Sequence, residues 1–217
     1  MSQPHILLIN PNSSPATTDM MCAIAERAAG GRVAIVCATA TRSPAMIVTV
    51  PELEASAAEV VELGAAHGEN CLGIIVSAYG DPGLDVLRAQ VDVPVVGICE
   101  ASMLAAARGG RRFSVATVTP DLLDHIAAKA EALGLGGLYA GARCSDGDAR
   151  ALAGNAEALD RTLGELVRLS IEDDGAQAVI IGGGPLGAAA DRLRPLFPVP
   201  VLGPIPCAVE HLLDRAA

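Results

Sequence analysis

The sequence predicts an α/β protein made of two pseudo-symmetric, doubly wound parallel-sheet halves, with a site in the cleft between them. Short apolar runs alternate with Ala-rich helical stretches along all 217 residues. The runs are continuous in Val, Ile and Leu, which is typical of strands covered on both faces. One layout also occurs twice, since "IIVSAYG…VDVPVVGICEA" (74–101) matches "VIIGGGP…FPVPVLGPIPCA" (179–208) in its order of strand, small-residue loop, short helix and Val-Pro-Val strand.

The predicted strands are short apolar runs, and helices fit between them. The helix predicted over 51–67 begins with Pro and has acidic residues in its first turn, as helix N-termini prefer. For the helix over 119–134, Thr119 is the predicted N-cap, Pro120 the first helical residue and Gly134 the stop. The strands are predicted at 5–10, 32–38, 72–77, 93–98, 113–118, 135–140, 178–182 and 199–203.

The repeat places the boundary between the two halves after residue 108, giving 1–108 and 109–217, with a crossing of the chain ends left open. In each half the loops follow the carboxyl ends of parallel strands, the edge at which open sheets bind ligands. The repeat also puts Ala78 and Gly183 in equivalent places. The predicted cleft is lined by Asn10, the 77–81 loop, Thr117, Thr119 and the 182–186 loop.

Composition and charge exclude several classes of function. The formal charge is −10 and the densest basic run is only 108–112, so we expect neither a nucleic-acid partner nor binding to an anionic membrane. No apolar run reaches the about 18 residues of a membrane span, and "MSQPHILLIN" lacks the features of a signal peptide. The six cysteines form no CxxC pair. We therefore expect reduced thiols and a cytoplasmic protein, and the apolar helices favour a homo-oligomer.

Four pieces of sequence carry a resemblance that covers nearly the whole chain. They are "LLINPNSS", "GDPGLD", "PVVGICEAS", and "DGAQAVIIGGGPL" followed by "PVPVLGPIPCAVE". With these pieces the chain resembles the cofactor-independent aspartate/glutamate racemase superfamily, in particular its hydantoin and allantoin racemase branch. The resemblance implies a small-molecule substrate and a cysteine in each of two loops. One thiolate removes the proton next to a carbonyl, and the other thiol returns a proton on the opposite face.

This chain departs from that pattern at both cysteines. Aligned on the loops, the family cysteines fall at Ala78 and Gly183, and neither side chain accepts a proton. We therefore expect no racemisation by two thiols. Cys99 and Cys207 follow equivalent strands in the two halves, and they are either relocated bases at the cleft or packed thiols at strand–helix junctions.

Two hydroxyls flank the vacant position in the first loop. Ser77 and Tyr79 are candidate catalytic residues, because either hydroxyl is placed to hydrogen-bond a substrate oxygen. Alternate strand residues point to opposite sides, although a turn breaks that parity. The structural alternative for Tyr79 is a partly buried ring whose hydroxyl is satisfied by the protein.

Two carboxylates complete the candidate catalytic set. Asp81 is either a catalytic carboxylate or the N-cap of a helix over 82–90. Glu100 is either a general base or a carboxylate at the start of a helix over 100–108, where the helix dipole favours it.

The predicted substrate-binding residues are neutral. Asn10 and Asn12 bring two amides to a strand-to-helix loop, where they either contact a carboxylate or imide or only cap the helix. Thr117 and Thr119 occupy the equivalent loop of the second half, with the same alternatives. The set is completed by Ala78, Gly183, Gly184 and Pro185.

The glycine-rich run "GGGPLG" (182–187) formally matches GxGxxG, yet Pro185 interrupts it and no acidic residue ends a strand about twenty positions later. We therefore predict an oxyanion-binding nest of backbone N–H groups and no dinucleotide. The four histidines are scattered, so no metal and no cofactor are predicted.

Three functions stay open at this point. The first is an enzyme that acts on a small cyclic amide, ureide or carboxylate by other than two-thiol chemistry, as a lyase, a hydrolase or a one-base isomerase. The second is a racemase with relocated bases, and the third is a non-catalytic small-ligand binding protein. Arg42 and Arg143 are the cations close to other strand ends. We therefore expect a compact ligand with a carboxylate or imide-like edge and no polyphosphate.

Overall fold

Two four-stranded parallel sheets form the framework of the computed structural model, which describes residues 4–67, 71–146 and 149–216. The first sheet has the order β2-β1-β3-β4, with β1 at His5–Asn10, β2 at Ala34–Thr39, β3 at Gly73–Val76 and β4 at Val95–Gly97. The second has the order β6-β5-β7-β8, with β5 at Phe113–Thr117, β6 at Tyr139–Cys144, β7 at Ala178–Ile181 and β8 at Val201–Leu202. The same strand order in both sheets confirms the predicted architecture of two similar α/β halves.

Helices cover both faces of each sheet, as the continuous apolar strands require. The central strands β1, β3, β5 and β7 are almost entirely buried, and their Ile, Leu and Val side chains form the cores. The helices are α1 at Pro15–Ala29, α2 at Val50–His67, α3 at Leu84–Arg88, α4 at Ile98–Ala106, α5 at Leu123–Ala132, α6 at Ala149–Ala153, α7 at Ala156–Glu172, α8 at Gly187–Leu193 and α9 at Pro204–Ala216.

The last helix returns to the first half of the chain. α9 follows the second sheet in sequence but packs against α1 and α4. Its Ile205, Val209 and Leu212 belong to the same buried cluster as Ile6 and Ile24. A division into 1–108 and 109–217 therefore assigns α9 to the second half by sequence, although it packs on the first. We propose a domain organisation in which the chain crosses back to the first half at α9.

Several predicted elements differ from the structure. The strand predicted at 135–140 is wrong, because Leu135 accepts hydrogen bonds from the N–H groups of Leu138 and Tyr139 and forms a turn, so that β6 begins only at Tyr139. The helix predicted from Thr119 starts as a 3-10 turn at Pro120–Leu122, and the Thr119 side chain makes no capping bond. The predicted helix over 82–90 is reduced to α3.

The prediction that all six cysteines are reduced is wrong for one pair. Cys22 on α1 and Cys37 on β2 form a disulfide. The two Cα atoms lie 6.3 Å apart, within the normal range for a disulfide. Because the pair depends on how α1 packs on β2, cysteine spacing along the chain carried no signal for it. Among the described residues, none of the helices has the length and apolarity that crossing a membrane demands.

Candidate functional site

A cavity of about 80 Å³ lies between the two halves, at the carboxyl ends of the central strands. Four pieces of the first half and two of the second form its wall. The lining residues are Asn12, Met46, Ile47, Leu53, Ser77, Ala78, Tyr79, Val118, Thr119, Leu122, Gly182, Gly183, Gly184, Pro185 and Leu186. At about 10–15 Å³ for each water-sized group, this volume holds about six groups, the size of a small ring.

The loop after β3 contributes Ser77, Ala78 and Tyr79 to the wall. The Ser77 hydroxyl is buried and lies 3.1 Å from the sulfur of Met21, to which it donates. The Tyr79 ring packs against the second half, since a Cβ added to Gly182 would lie 3.2 Å from its Cε1 atom. The ring thus forms part of the contact between the halves as well as part of the cavity wall.

The Tyr79 hydroxyl is buried and has no hydrogen-bond partner within the part of the chain that the structure describes. Burial raises its pKa well above the ordinary value, and the neighbouring Cys99 adds to the effect. Tyr79 therefore stays neutral over the physiological pH range and holds no negative charge with which to take up a proton.

The glycine loop after β7 faces Ala78 from the second half. Gly183 lines the cavity, so the two positions at which the resemblance implies cysteines both border the same space. Gly184 touches the first half directly, because a Cβ there would lie 2.7 Å from the sulfur of Met21 and 3.3 Å from the Ser77 carbonyl oxygen. A side chain at residue 184 would therefore require Met21 to move.

The amino-terminal loop presents Asn12, while Asn10 lies beneath it. Asn10 is fully buried, donates to Asn12 Oδ1 and Thr18 Oγ1 at 2.9 Å each, and accepts from the Asn12 N–H. Asn12 Oδ1 also accepts from the N–H of Ser14. These bonds fix the orientation of the Asn12 amide. Its NH₂ group has no acceptor among the described residues and is free to donate to a ligand in the cavity.

The two threonines of the second half are arranged in the same way. Thr117 is fully buried and donates its hydroxyl proton to the carbonyl of Gly182 at 2.9 Å. The Thr119 hydroxyl, which borders the cavity, lies 3.1 Å from that of Thr117. Because Thr117 donates its hydroxyl proton to the Gly182 carbonyl, Thr119 is the donor in the hydrogen bond between the two hydroxyls. The lone pairs of Thr119 Oγ1 remain, so it offers an acceptor to the cavity.

Backbone N–H groups add donors. Within the described residues, the N–H groups of Ala78, Tyr79 and Gly184 donate to no protein acceptor, and all three residues line the cavity. Of these three donors, only Gly184 belongs to the glycine-rich loop, because the N–H groups of Gly182, Gly183, Leu186 and Gly187 donate to backbone carbonyls. The oxyanion nest predicted for this loop therefore stays a prediction.

The two candidate carboxylates lie outside the cavity wall. Asp81 caps α4 and not its own helix, because its carboxylate accepts from the N–H groups of Cys99 and Glu100 at 2.9 Å each. Burial raises the pKa of Asp81, and Lys129 acts in the opposite direction. Glu100 lies in α4, which begins two residues earlier than predicted, and accepts from both terminal nitrogens of the Arg88 guanidinium, Nη1 and Nη2.

The two candidate thiols and the two candidate cations are also placed outside the cavity wall. Cys99 is fully buried and Cys207 partly, and burial raises the pKa of Cys99 well above its ordinary value and that of Cys207 to about 11. Arg42 pairs with Glu62, and Arg143 pairs with two aspartates. The cavity wall thus contains no ionised side chain. Over the described residues, no cluster of three or more His, Cys, Asp or Glu side chains is placed to hold a metal ion.

A segment that the sequence analysis missed covers the cavity. Residues 41–49, here called the covering segment, cross from the first half, and their Met46 and Ile47 form part of the wall. Two carboxylates of α2 hold its ends: Glu59 accepts from the N–H groups of Thr41 and Arg42, and Glu52 accepts from those of Val48 and Thr49. This stretch shows neither strand nor helix periodicity, so nothing in its sequence pointed to the site.

Comparisons with known proteins agree with this geometry. A family model described as Asp/Glu/Hydantoin racemase matches residues 6–212. A hydantoin racemase of Paenarthrobacter aurescens is 27% identical over 206 residues, which are 94% of this chain and 87% of that protein. A hydantoin racemase of Rhizobium meliloti is 28% identical over 213 residues, 95% of this chain and 86% of that protein. The structure of the allantoin racemase from Klebsiella pneumoniae superposes with a TM-score of 0.92 at 26% identity, covering 98% of this chain and 87% of that one.

Proposed function

This chain belongs to the Asp/Glu/hydantoin racemase family, and we propose that it binds a compact cyclic ureide or imide of the hydantoin type and exchanges the proton next to the ring carbonyl without a thiol base. The relatives named hydantoin racemase and allantoin racemase support an isomerase over a lyase or a hydrolase. A homo-oligomeric assembly and a cytoplasmic location remain parts of this proposal.

The proposal rests on the arrangement of hydrogen-bond donors and one hydrogen-bond acceptor around the cavity. Asn12 and the free N–H groups of Ala78, Tyr79 and Gly184 donate, whereas Thr119 accepts. A ring amide offers a carbonyl oxygen beside an N–H, which matches both kinds of group. A carboxylate offers acceptors only and would leave Thr119 Oγ1 facing another oxygen.

The remainder of the wall suits an apolar substituent on the ring. Besides Ala78 and Pro185, six apolar side chains lie there, namely Met46, Ile47, Leu53, Val118, Leu122 and Leu186. Burying a methyl or methylene group against such a wall contributes about 0.8 kcal/mol. We therefore expect a hydantoin with a small alkyl substituent to bind more tightly than the unsubstituted ring.

The proposed reaction uses water where the family relatives are implied to use thiols. Water takes up the proton from the ring carbon, the enolate oxygen is stabilised by the backbone N–H groups, and a proton from solvent returns to the same carbon. A positioned acid or base typically contributes about 10²–10⁴-fold to a rate. Because Ala78 and Gly183 supply no such group, we expect this protein to exchange the ring proton more slowly than an enzyme with both thiols, by at least this factor.

A non-catalytic small-ligand binding protein is the second candidate. It is favoured by the same cavity wall, which has no ionised side chain. The two candidates differ in one measurement. Under the first, the ring proton of a bound hydantoin exchanges with solvent deuterium at a rate that saturates with ligand, and under the second the ligand binds and keeps its proton.

The test combines titration calorimetry with proton NMR in deuterium oxide. An enantiopure 5-alkyl hydantoin is compared with the ring-opened ureido acid, and we expect the ring to bind about tenfold or more tightly, because an unmatched polar pair costs about 1–3 kcal/mol. Asn12→Asp keeps the acceptor oxygen and removes the NH₂ donor, so it should weaken binding of the ring by a similar factor. Gln90→Ala, which removes an exposed amide that is not part of the cavity wall, is the matched control. Equal affinity for ring and open chain would contradict the proposal.

A further inference from the structure

The chain has a single lysine among its fifteen Lys and Arg residues, and this lysine is mostly buried. Lys129 lies on α5 of the second half, with 16% of its side chain exposed. Its amino nitrogen lies 3.2 Å from Asp81 Oδ2, on the loop of the first half that carries Ala78 and Tyr79. Glu100 Oε2 lies further away, at 4.0 Å. The lysine therefore connects the two halves through an ion pair.

Asp81 is held in one conformation on its side of the pair. Its side chain is fully buried, and it is the one residue other than glycine with a positive φ, +55°, in the described chain. Its carboxylate fills the space above Gly97, where an added Cβ would overlap with the Asp81 Cγ atom. A small shift of this carboxylate would break its bonds to the N–H groups of Cys99 and Glu100.

A second contact from the same helix reaches the same loop. His125, one turn before Lys129 on α5, places Nε2 at 3.1 Å from the carbonyl oxygen of Gly80. Residues 80 and 81 are thus each bound by one side chain of the opposite half. They directly follow Ala78 and Tyr79, whose N–H groups have no acceptor in the described part of the protein.

From this geometry we propose that Lys129 is a positioning residue, which holds the loop after β3 against the second half and so keeps the N–H groups of Ala78 and Tyr79 at the cavity. The Lys129 ammonium group lies near carboxylates from two different elements, Asp81 on the loop after β3 and Glu100 on α4. The proposal concerns the loop and not the identity of the ligand. Its test therefore needs no ligand and can fail independently of the proposed function.

The test is amide hydrogen exchange measured by mass spectrometry on the full chain. Lys129→Met removes the charge and keeps the length of the side chain, and it leaves Asp81 buried without its cation. We expect exchange in the segments 77–83 and 98–102 to become about tenfold or more faster, with β1 and β7 unchanged. Arg143→Met is the matched control, because it breaks an ion pair with Asp174 that lies within the second half.

A double-mutant cycle separates positioning from a general loss of stability. Asp81→Asn keeps the shape of the side chain and tolerates the positive φ, as Asn does. If both residues act through one pair, Asp81→Asn combined with Lys129→Met should exchange no faster than Lys129→Met alone. Additive effects, an even rise of exchange over the whole chain, or no rise in 77–83 would overturn the proposal.

The wild-type protein supplies a measurement that does not depend on the folding of any variant. Because Lys129 is the one lysine, acylation of lysine by limiting reagent reports on this side chain alone, with the N-terminal amine as an internal reference. We expect acylation at least about tenfold slower than in the urea-unfolded chain. Asp81→Asn should increase the rate, and acylation as fast as in the unfolded chain would overturn the proposal.

Discussion

Replacing Ala78 and Gly183 by cysteine tests whether the cavity holds a reacting carbon between these two positions. Both residues line the cavity, one from each half. Each new sulfur is about one water-sized group, so the two together occupy about 20–30 Å³ of the about 80 Å³ present. About 50–60 Å³ then remain, which corresponds to about four to five such groups, so a bound ring would have to displace part of the flexible wall.

The steric cost of the two changes is small enough to permit folding. A Cβ at Gly183 would lie 2.9 Å from Cδ1 and Cγ of Leu186, a flexible side chain, and the backbone there is not in the left-handed region. Crowding of this kind typically costs about 1–3 kcal/mol. Ala78 already has a Cβ and adds only the sulfur atom.

Each thiol should act on one face of the ligand. We expect either single variant to speed exchange of the ring proton for deuterium by about 10²-fold or more over wild type, with retention of configuration, since a positioned base contributes about 10²–10⁴-fold. The double variant should also invert the stereocentre. Proton NMR in deuterium oxide measures exchange, and circular dichroism of an enantiopure 5-alkyl hydantoin measures inversion.

The control for an added thiol is Gly137→Cys, since Gly137 has open space around it and lies in a turn that is not part of the cavity wall. A double variant that folds, binds the hydantoin and exchanges its proton no faster than this control would refute the reasoning. In that case Ala78 and Gly183 would not lie on either side of the reacting carbon.

Three further predictions concern stability. The pKa of Glu52 is lowered mainly by the N–H of Val48, so its carboxylate should stabilise the covering segment above the unfolded-state pKa of about 4.3 and lose this effect as the pH falls. Urea unfolding of wild type and Glu52→Gln should therefore differ at neutral pH and converge at low pH. Gly184→Ala should lower the free energy of unfolding by about 1–3 kcal/mol through its clash with Met21, and Met21→Ala should relieve part of that loss. Replacing Cys22 and Cys37 by serine should lower the free energy of unfolding by about 3 kcal/mol, because their disulfide closes a loop of 15 residues. For the glycine variant and for the serine variant alike, an unfolding midpoint equal to that of wild type would contradict the prediction.

Much of the fold followed from the sequence, because it depends on local patterns. Continuous Val, Ile and Leu runs mark strands that are buried on both faces, and the repeated layout requires two similar sheets. The same patterns located the cavity loops, since the carboxyl ends of parallel strands meet at one edge. Ala78, Gly183 and Gly184 were therefore found without any knowledge of their contacts.

The tertiary structure decided which residues of each loop border the cavity. Asn10 and Asn12 are the same residue type and lie two positions apart, yet Asn10 is fully buried and supports the loop, whereas Asn12 borders the cavity. Asp81 precedes one helix and caps another, and its partner Lys129 lies 48 positions further along the chain. Met46 and Ile47 reach the cavity from a segment without periodicity.

The physical reason is the range of the interactions. Strands and helices are specified by apolar side chains that repeat within a few residues, and each element shows this repeat in its own sequence. The direction of a loop side chain, the cap of a distant helix and the pairing of Cys22 with Cys37 depend on contacts between different elements of the fold, such as the packing of α1 on β2. The sequence by itself therefore determined two parallel sheets and the edge at which they meet, and only the packing of these halves decided which groups line the cavity.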